Sequence, residues 1–143
     1  MTSRSTLLIV EDEEEMRILL EEELREAAYD VLTAAGGDEA LERIGRSPVD
    51  AVITDLVMPG MQGNELLKEV RAVVALGAFA WEGVLRALAY GPPRPTFGHG
   101  SETKVGPYTL IGSFHPSQQN TFTGKLTVEM LDAVLRRAIE LSA

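Results

Sequence analysis

LLIVED, residues 7–12, sets four apolar residues directly against two acids. An apolar run this short suits a strand buried on both faces of a parallel sheet. The same design returns in AVITDL, residues 51–56, which is apolar apart from Thr54 until Asp55. Between them, residues 13–27 read as a helix, with Met16, Leu19, Leu20 and Leu24 on one stripe and Glu21, Glu22, Glu23 and Glu26 left to solvent. Tyr29–Ala34 reads as a second strand. Gly36-Gly37-Asp38 supplies a break and an N-cap for a helix through Ile44. After Asp55 comes the loop MPGMQG, then a third helix beginning at Asn64–Arg71 and a fourth strand, Val73–Leu76, ending at Gly77. Strands and helices alternating at this length indicate a doubly wound parallel α/β sheet.

The pattern continues differently. Ala78–Ala89 fits a helix, and Gly91-Pro92-Pro93-Arg94-Pro95 stops it. Residues 96–107 are Gly-rich and irregular, with a short extended piece around Glu102–Val105. Tyr108–Phe114 is the last strand. Thr127–Leu141 is a closing amphipathic helix, with Leu131, Val134, Leu135, Ala138 and Ile139 on one stripe.

Composition narrows the function classes. The 143 residues suffice for one domain with a real core. With no cysteine there is no disulfide, thiolate metal site or cysteine-held iron–sulfur cluster. The longest apolar run, near Ala72–Trp81, is about half of what a membrane span needs. MTSRSTLLIV turns acidic at once, unlike a signal peptide. The expectation is a cytoplasmic protein with no membrane partner. A net charge of −9 argues against DNA binding. That charge is lopsided: residues 1–71 carry 17 acids and 7 bases, residues 72–143 only 5 and 6. Such asymmetry marks either a charged face or two origins.

In a parallel sheet, side chains at the carboxyl ends of neighbouring strands converge on one crevice. Glu11, Asp12 and Asp55 would repel there unless a hard cation such as Mg²⁺ neutralised them. With the cation in place, Asp55 can accept a phosphoryl group, since that chemistry needs mainly positioning and charge neutralisation. The acids Glu13, Glu14 and Glu15 read as a solvated helix start.

LLIVEDEEEMR, VITDLVMPGMQG and their spacing resemble the receiver domain of bacterial response regulators over roughly residues 5–71. The resemblance implies Asp55 as phosphoacceptor, with Glu11, Asp12 and the Val57 carbonyl holding Mg²⁺. It then breaks. A receiver carries Thr or Ser after its fourth strand and Lys after its fifth. Here Gly77 and His115 stand in those places, 38 residues apart.

From about Ala72 onward, VVALGAFAWEG, PTFGHG and SFHPSQQNTFTGKLT resemble the C-terminal half of family-five uracil-DNA glycosylases. Such an enzyme must take its base out of the stack, and a strand-end histidine can donate to the departing uracil as charge develops. The resemblance implies His115 as the active-site histidine and Ser117, Gln118, Gln119 and Asn120 on a DNA-facing loop. The glycosylase's water-activating segment, stacking aromatic and cluster cysteines belong to its other half, which this sequence lacks. His99 is expected to satisfy loop backbone groups, and Phe79 and Trp81 to be core.

The two halves share an architecture. The expectation is therefore one domain from two segments, 1–71 and 72–143. It is a flavodoxin-like three-layer sandwich of sheet order 2-1-3-4-5, with a long irregular insert between strands 4 and 5. An engineered or recombined half-domain chimera without native catalytic activity is the leading reading. A residual Mg²⁺-dependent phosphoacceptor at Asp55 and a glycosylase remnant at His115 are the alternatives. No partner is implied with certainty, though a surface stripped of its native cover could drive homo-oligomer formation.

Overall fold

Strand and helix alternate through the computed structural model, which describes residues 4–55, 70–116 and 123–142. The elements are β1 (Thr6–Val10), α1 (Glu14–Glu26), β2 (Asp30–Ala34), α2 (Gly37–Arg46) and β3 (Ala51–Thr54). They continue with β4 (Ala72–Leu76), α3 (Ala78–Ala87), β5 (Glu102–Val105), β6 (Tyr108–Ser113) and α4 (Val128–Ser142). The sheet order is β2-β1-β3-β4-β6-β5. Its first five strands are parallel, in the expected 2-1-3-4-5 order of the doubly wound fold. The extended piece at Glu102–Val105 joins this sheet as a sixth strand, antiparallel to β6 at the edge. The expected third helix and the MPGMQG loop fall almost wholly outside the described residues.

Both faces of the sheet are covered, as continuous apolar strands require. Leu8, Val10, Val52 and Leu110 pack toward α2 and α3; Leu7, Ile9, Ile53 and Ile111 pack toward α1 and α4. Core residues from the two sequence halves thus interleave on each face. The chain is continuous with the core across the boundary expected at residues 71–72: Ala51 and Val52 on β3 pair with Ala72 and Val73 on β4, and all four are buried.

Two aromatic and apolar expectations need correction. Phe79 is not core; it is 81% exposed. It shares the outer face of α3 with Glu82 and Arg86, at spacings of three and seven, while Ala80, Trp81, Val84 and Leu85 face inward. Leu19 is 42% exposed, because it borders a groove of about 320 Å³ left where α1 meets Leu126–Val128 at the start of α4. At the head of α2 the N-cap is Gly36, without a side-chain cap, and Asp38 lies inside the first turn. Glu39 instead reaches back to accept the Ala35 N–H at 2.9 Å.

The irregular insert is well anchored. The Trp81 indole N–H donates to the Pro95 carbonyl at 2.9 Å. Phe97 lies edge-on between Trp81 and Phe114, at 6.0 and 6.4 Å between ring centres. Backbone bonds from Gly100 N–H to the Gly112 carbonyl and from Gly112 N–H to the Ser101 carbonyl stitch the loop to β6. Gly112 is required there: a Cβ on it would sit 2.6 Å from the Gly98 carbonyl oxygen.

Candidate functional site

Strand register assembles the site. Val10 pairs with Thr54 across β1 and β3, so the next residues, Glu11 and Asp55, emerge side by side at the sheet's carboxyl edge. Leu76 pairs with Ser113 across β4 and β6, so Gly77 and Phe114 follow, and His115 comes one residue later. Asp55 Oδ2 lies 3.7 Å from His115 Nε2. One ligand atom each from Glu11, Asp55 and His115 falls within a span of 4.8 Å. The two sequence halves therefore meet in one cluster of two carboxylates and an imidazole.

Glu11 is only 2% exposed. Its Oε1 accepts the Glu13 N–H at 3.1 Å, and its main-chain carbonyl accepts a hydrogen bond from the Arg17 guanidinium at 3.0 Å. Glu11 Oε2 and Asp55 Oδ1 are the buried side-chain polar atoms left without a partner among the described residues. Burial, then the adjoining Asp55 carboxyl, pushes Glu11 up to about 8. Burial also acts to raise Asp55, but the facing His115 and Glu11 side chains together outweigh it and hold Asp55 below the usual carboxylate range. The pair therefore favours one negative charge over two when no cation is present.

Gly77 is required by its backbone conformation rather than by space for the histidine. Its φ of +92° favours glycine, and a Cβ there would lie 3.6 Å from the His115 Cβ. A hydroxyl-bearing residue at this position would be strained by the backbone before it met any steric obstacle. Its N–H is already committed to the Ser113 carbonyl at 2.8 Å.

The other expected site residues divide clearly. Asp12 is exposed and stands apart from the three-residue cluster, although its charge contributes to raising Glu11. Val57, Ser117, Gln118, Gln119 and Asn120 lie outside the described residues. His99 behaves as a structural loop histidine. Its Nδ1 accepts the Phe114 N–H at 3.1 Å, which leaves Nε2 to donate toward the Met130 carbonyl at 3.3 Å. Arg17 escaped the sequence reading; its signal was a base spaced to fold back over the strand end from the first turns of α1. A depression of about 530 Å³, bordered by Ile44, Ser47, Pro48 and Asp50, lies at the opposite end of β3. It contains no such grouping of ligating side chains among the described residues.

Comparison with known proteins finds two kinds of relative. Residues 7–76 match the family of response regulator receiver domains. A stretch of 75 residues is 55% identical to a type-5 uracil-DNA glycosylase of Mycobacterium bovis, covering 51% of this chain and 28% of that protein. The chain is of mixed origin. A 71-residue stretch is 38% identical to the sensory/regulatory protein RpfC of Xanthomonas campestris pv. campestris, covering 50% of this chain and 10% of that protein. The chain thus spans only a minor part of either curated relative. Its fold as a whole is that of receivers. The receiver domain of a sensor histidine kinase from Pseudomonas aeruginosa superposes with a TM-score of 0.58 at 20% identity, covering 96% of this chain and 99% of that one. The receiver match runs through Leu76 and so includes β4, five residues past the join read from the sequence. No helix among the described residues is long and apolar enough to cross a membrane.

Proposed function

We propose that the protein is a half-domain chimera that lacks both the glycosylase reaction and the receiver's phosphorylation-coupled surface change, and that it retains one functional remnant, a Mg²⁺-dependent phosphoacceptor pocket at Asp55. The observation that carries this reading is the pair of buried, unpartnered oxygens on Glu11 and Asp55. Two such atoms side by side suit a hard cation, which takes oxygen ligands readily. Glu11 and Asp55 would hold it directly; of the further oxygen donors that the receiver resemblance implies, Asp12 stands outside the cluster and the Val57 carbonyl lies outside the described residues. When bound, Mg²⁺ would supply charge neutralisation for an incoming phosphoryl group.

The step asked of the chain is simple. An Asp55 carboxylate oxygen attacks the phosphorus of a small acyl phosphate. The bond from phosphorus to the donor's bridging oxygen breaks, its electron pair leaves with the donor's carboxylate, and Asp55 becomes the acyl phosphate. His115 stands where its ring can pair with the new phosphoryl oxygens, but Gly77 offers no hydroxyl to follow them. Modification without a coupled surface change is the expected consequence. The difference in charge between residues 1–71 and 72–143 fits two origins, and the absence of cysteine suits a cytoplasmic setting.

Incubation with acetyl phosphate and Mg²⁺, read by intact mass, tests the pocket. Wild type should gain one phosphoryl group and Asp55→Asn none; labelling that persists in Asp55→Asn refutes the assignment. A uracil-containing oligonucleotide should stay intact. Its cleavage, abolished by His115→Ala, would return the glycosylase reading in place of this one.

A further inference from the structure

We infer that Glu11, Asp55 and His115 together form a site for a transition-metal dication of the Zn²⁺ class, a site that exists only because the two sequence halves were joined. The receiver-like strands β1 and β3 supply two oxygens; the segment after β6 supplies a nitrogen where a receiver has an ammonium group. An ammonium repels a cation, whereas a neutral imidazole ligates one. Exchanging the one for the other reverses the electrostatic sign of that corner of the pocket.

Geometry supports the exchange. Zinc binds nitrogen and oxygen at about 2.0–2.2 Å, so two ligands at tetrahedral angles stand about 3.4 Å apart. Asp55 Oδ2 and His115 Nε2 are already 3.7 Å apart, and the three ligand atoms lie within 4.8 Å of one another. Contraction by at most about 1.4 Å completes the triangle, a movement that side-chain rotation in a partly exposed histidine can provide. A second observation points the same way. Glu11 is fully inside the protein, and its Oε2 has no partner. Three protein ligands leave a tetrahedral ion one position for water.

Ligand chemistry sets the selectivity. Mg²⁺ prefers six hard oxygens, and Asp12, the extra carboxylate expected for it, stands outside the cluster. Imidazole with carboxylates suits Zn²⁺, Co²⁺ and Ni²⁺. This site shares the pocket with the proposed phosphoacceptor but does not depend on it, since metal binding needs no reactivity at Asp55.

Untagged, chelator-stripped protein titrated with Co²⁺, Zn²⁺ and Mg²⁺ provides the test. One equivalent of Co²⁺ should give visible absorption of a low-coordinate ion, displaced by Zn²⁺ but not by excess Mg²⁺. Zinc should bind roughly 100-fold more tightly than Mg²⁺. Both His115→Ala and the bulkier His115→Gln should lose the absorption and weaken Zn²⁺ toward the Mg²⁺ value. Equal affinities in wild type, or Co²⁺ absorption surviving in both variants, overturns the site. Acetyl phosphate labelling that fails while the Co²⁺ spectrum persists overturns the phosphoacceptor and leaves the metal site standing.

Discussion

Two neighbouring regions at the carboxyl edge of the sheet follow opposite rules. The insert between α3 and β5 looks like a loop without structure, yet its Pro95 carbonyl, its histidine and its glycine backbone groups have partners. The Glu11–Asp55 corner lies on well-formed strands and leaves two buried oxygens unpaired. Irregular sequence does not imply loose structure, and regular strands do not imply a relaxed site. Where a buried polar atom is unsatisfied, folding stability has been given up for something else, and a ligand is the natural candidate.

Substitutions can break or sharpen this contrast. Trp81→Ala should have the largest effect, because it empties a fully buried site and removes the bond to Pro95. A loss of about 3–5 kcal/mol in denaturant unfolding is expected, concentrated in the insert. A loss below about 1 kcal/mol would mean that the insert is not anchored as described.

The acidic corner should respond with the opposite sign. A carboxyl whose folded value is raised favours folding most below its unfolded value and loses that contribution as pH climbs through the folded one. For Glu11 the window runs from 4.5 to about 8, so the metal-free protein should lose stability across it. Asp55, being lowered, acts in the other direction and only in acid, below its ordinary 3.8. Asp12, Asp55, His115 and Arg17 are the charged or titratable groups around Glu11 that set this balance. In chelator, Glu11→Gln should flatten the decline between pH 5 and 8 and leave the variant more stable than wild type at pH 8. An equally steep decline in the variant would place its origin elsewhere.

Smaller effects bound the comparison. His99→Ala should cost about 1–2 kcal/mol, since it leaves the Phe114 N–H and the Met130 carbonyl without a side-chain partner. Arg46→Ala on α2 removes an exposed ion pair with Glu42 and should change stability by less than about 0.5 kcal/mol. A larger change there would mean that surface charge matters more to this acidic chain than its geometry suggests.

Much of the architecture was legible in the sequence. LLIV, AVIT and AVVAL are apolar without alternation, so their burial on both faces and their parallel pairing could be read directly. The pairing of Glu102–Val105 with β6 could not, because an edge strand of alternating exposure carries little apolar signal. Phe79 was read as core from its place on the helix, although its spacing to Glu82 and Arg86 put it on the outer face. Leu19 was misread for a different reason: its helix position is right, but nothing local shows that a groove remains between α1 and Leu126–Val128. Asp55 and Glu11 could be paired from strand ends. That His115 faces Asp55 required the register of β4 with β6, which the long insert conceals.

The claim at the centre is that one pocket is built from both halves. An amide-resolved NMR spectrum recorded with and without Mg²⁺ and beryllofluoride addresses it most directly. A shared pocket predicts that resonances of Glu11, Asp12 and Asp55 shift together with His115 and Gly77 on the other side of the join. Changes confined to the acidic surface of α1, or an unchanged spectrum, would contradict it.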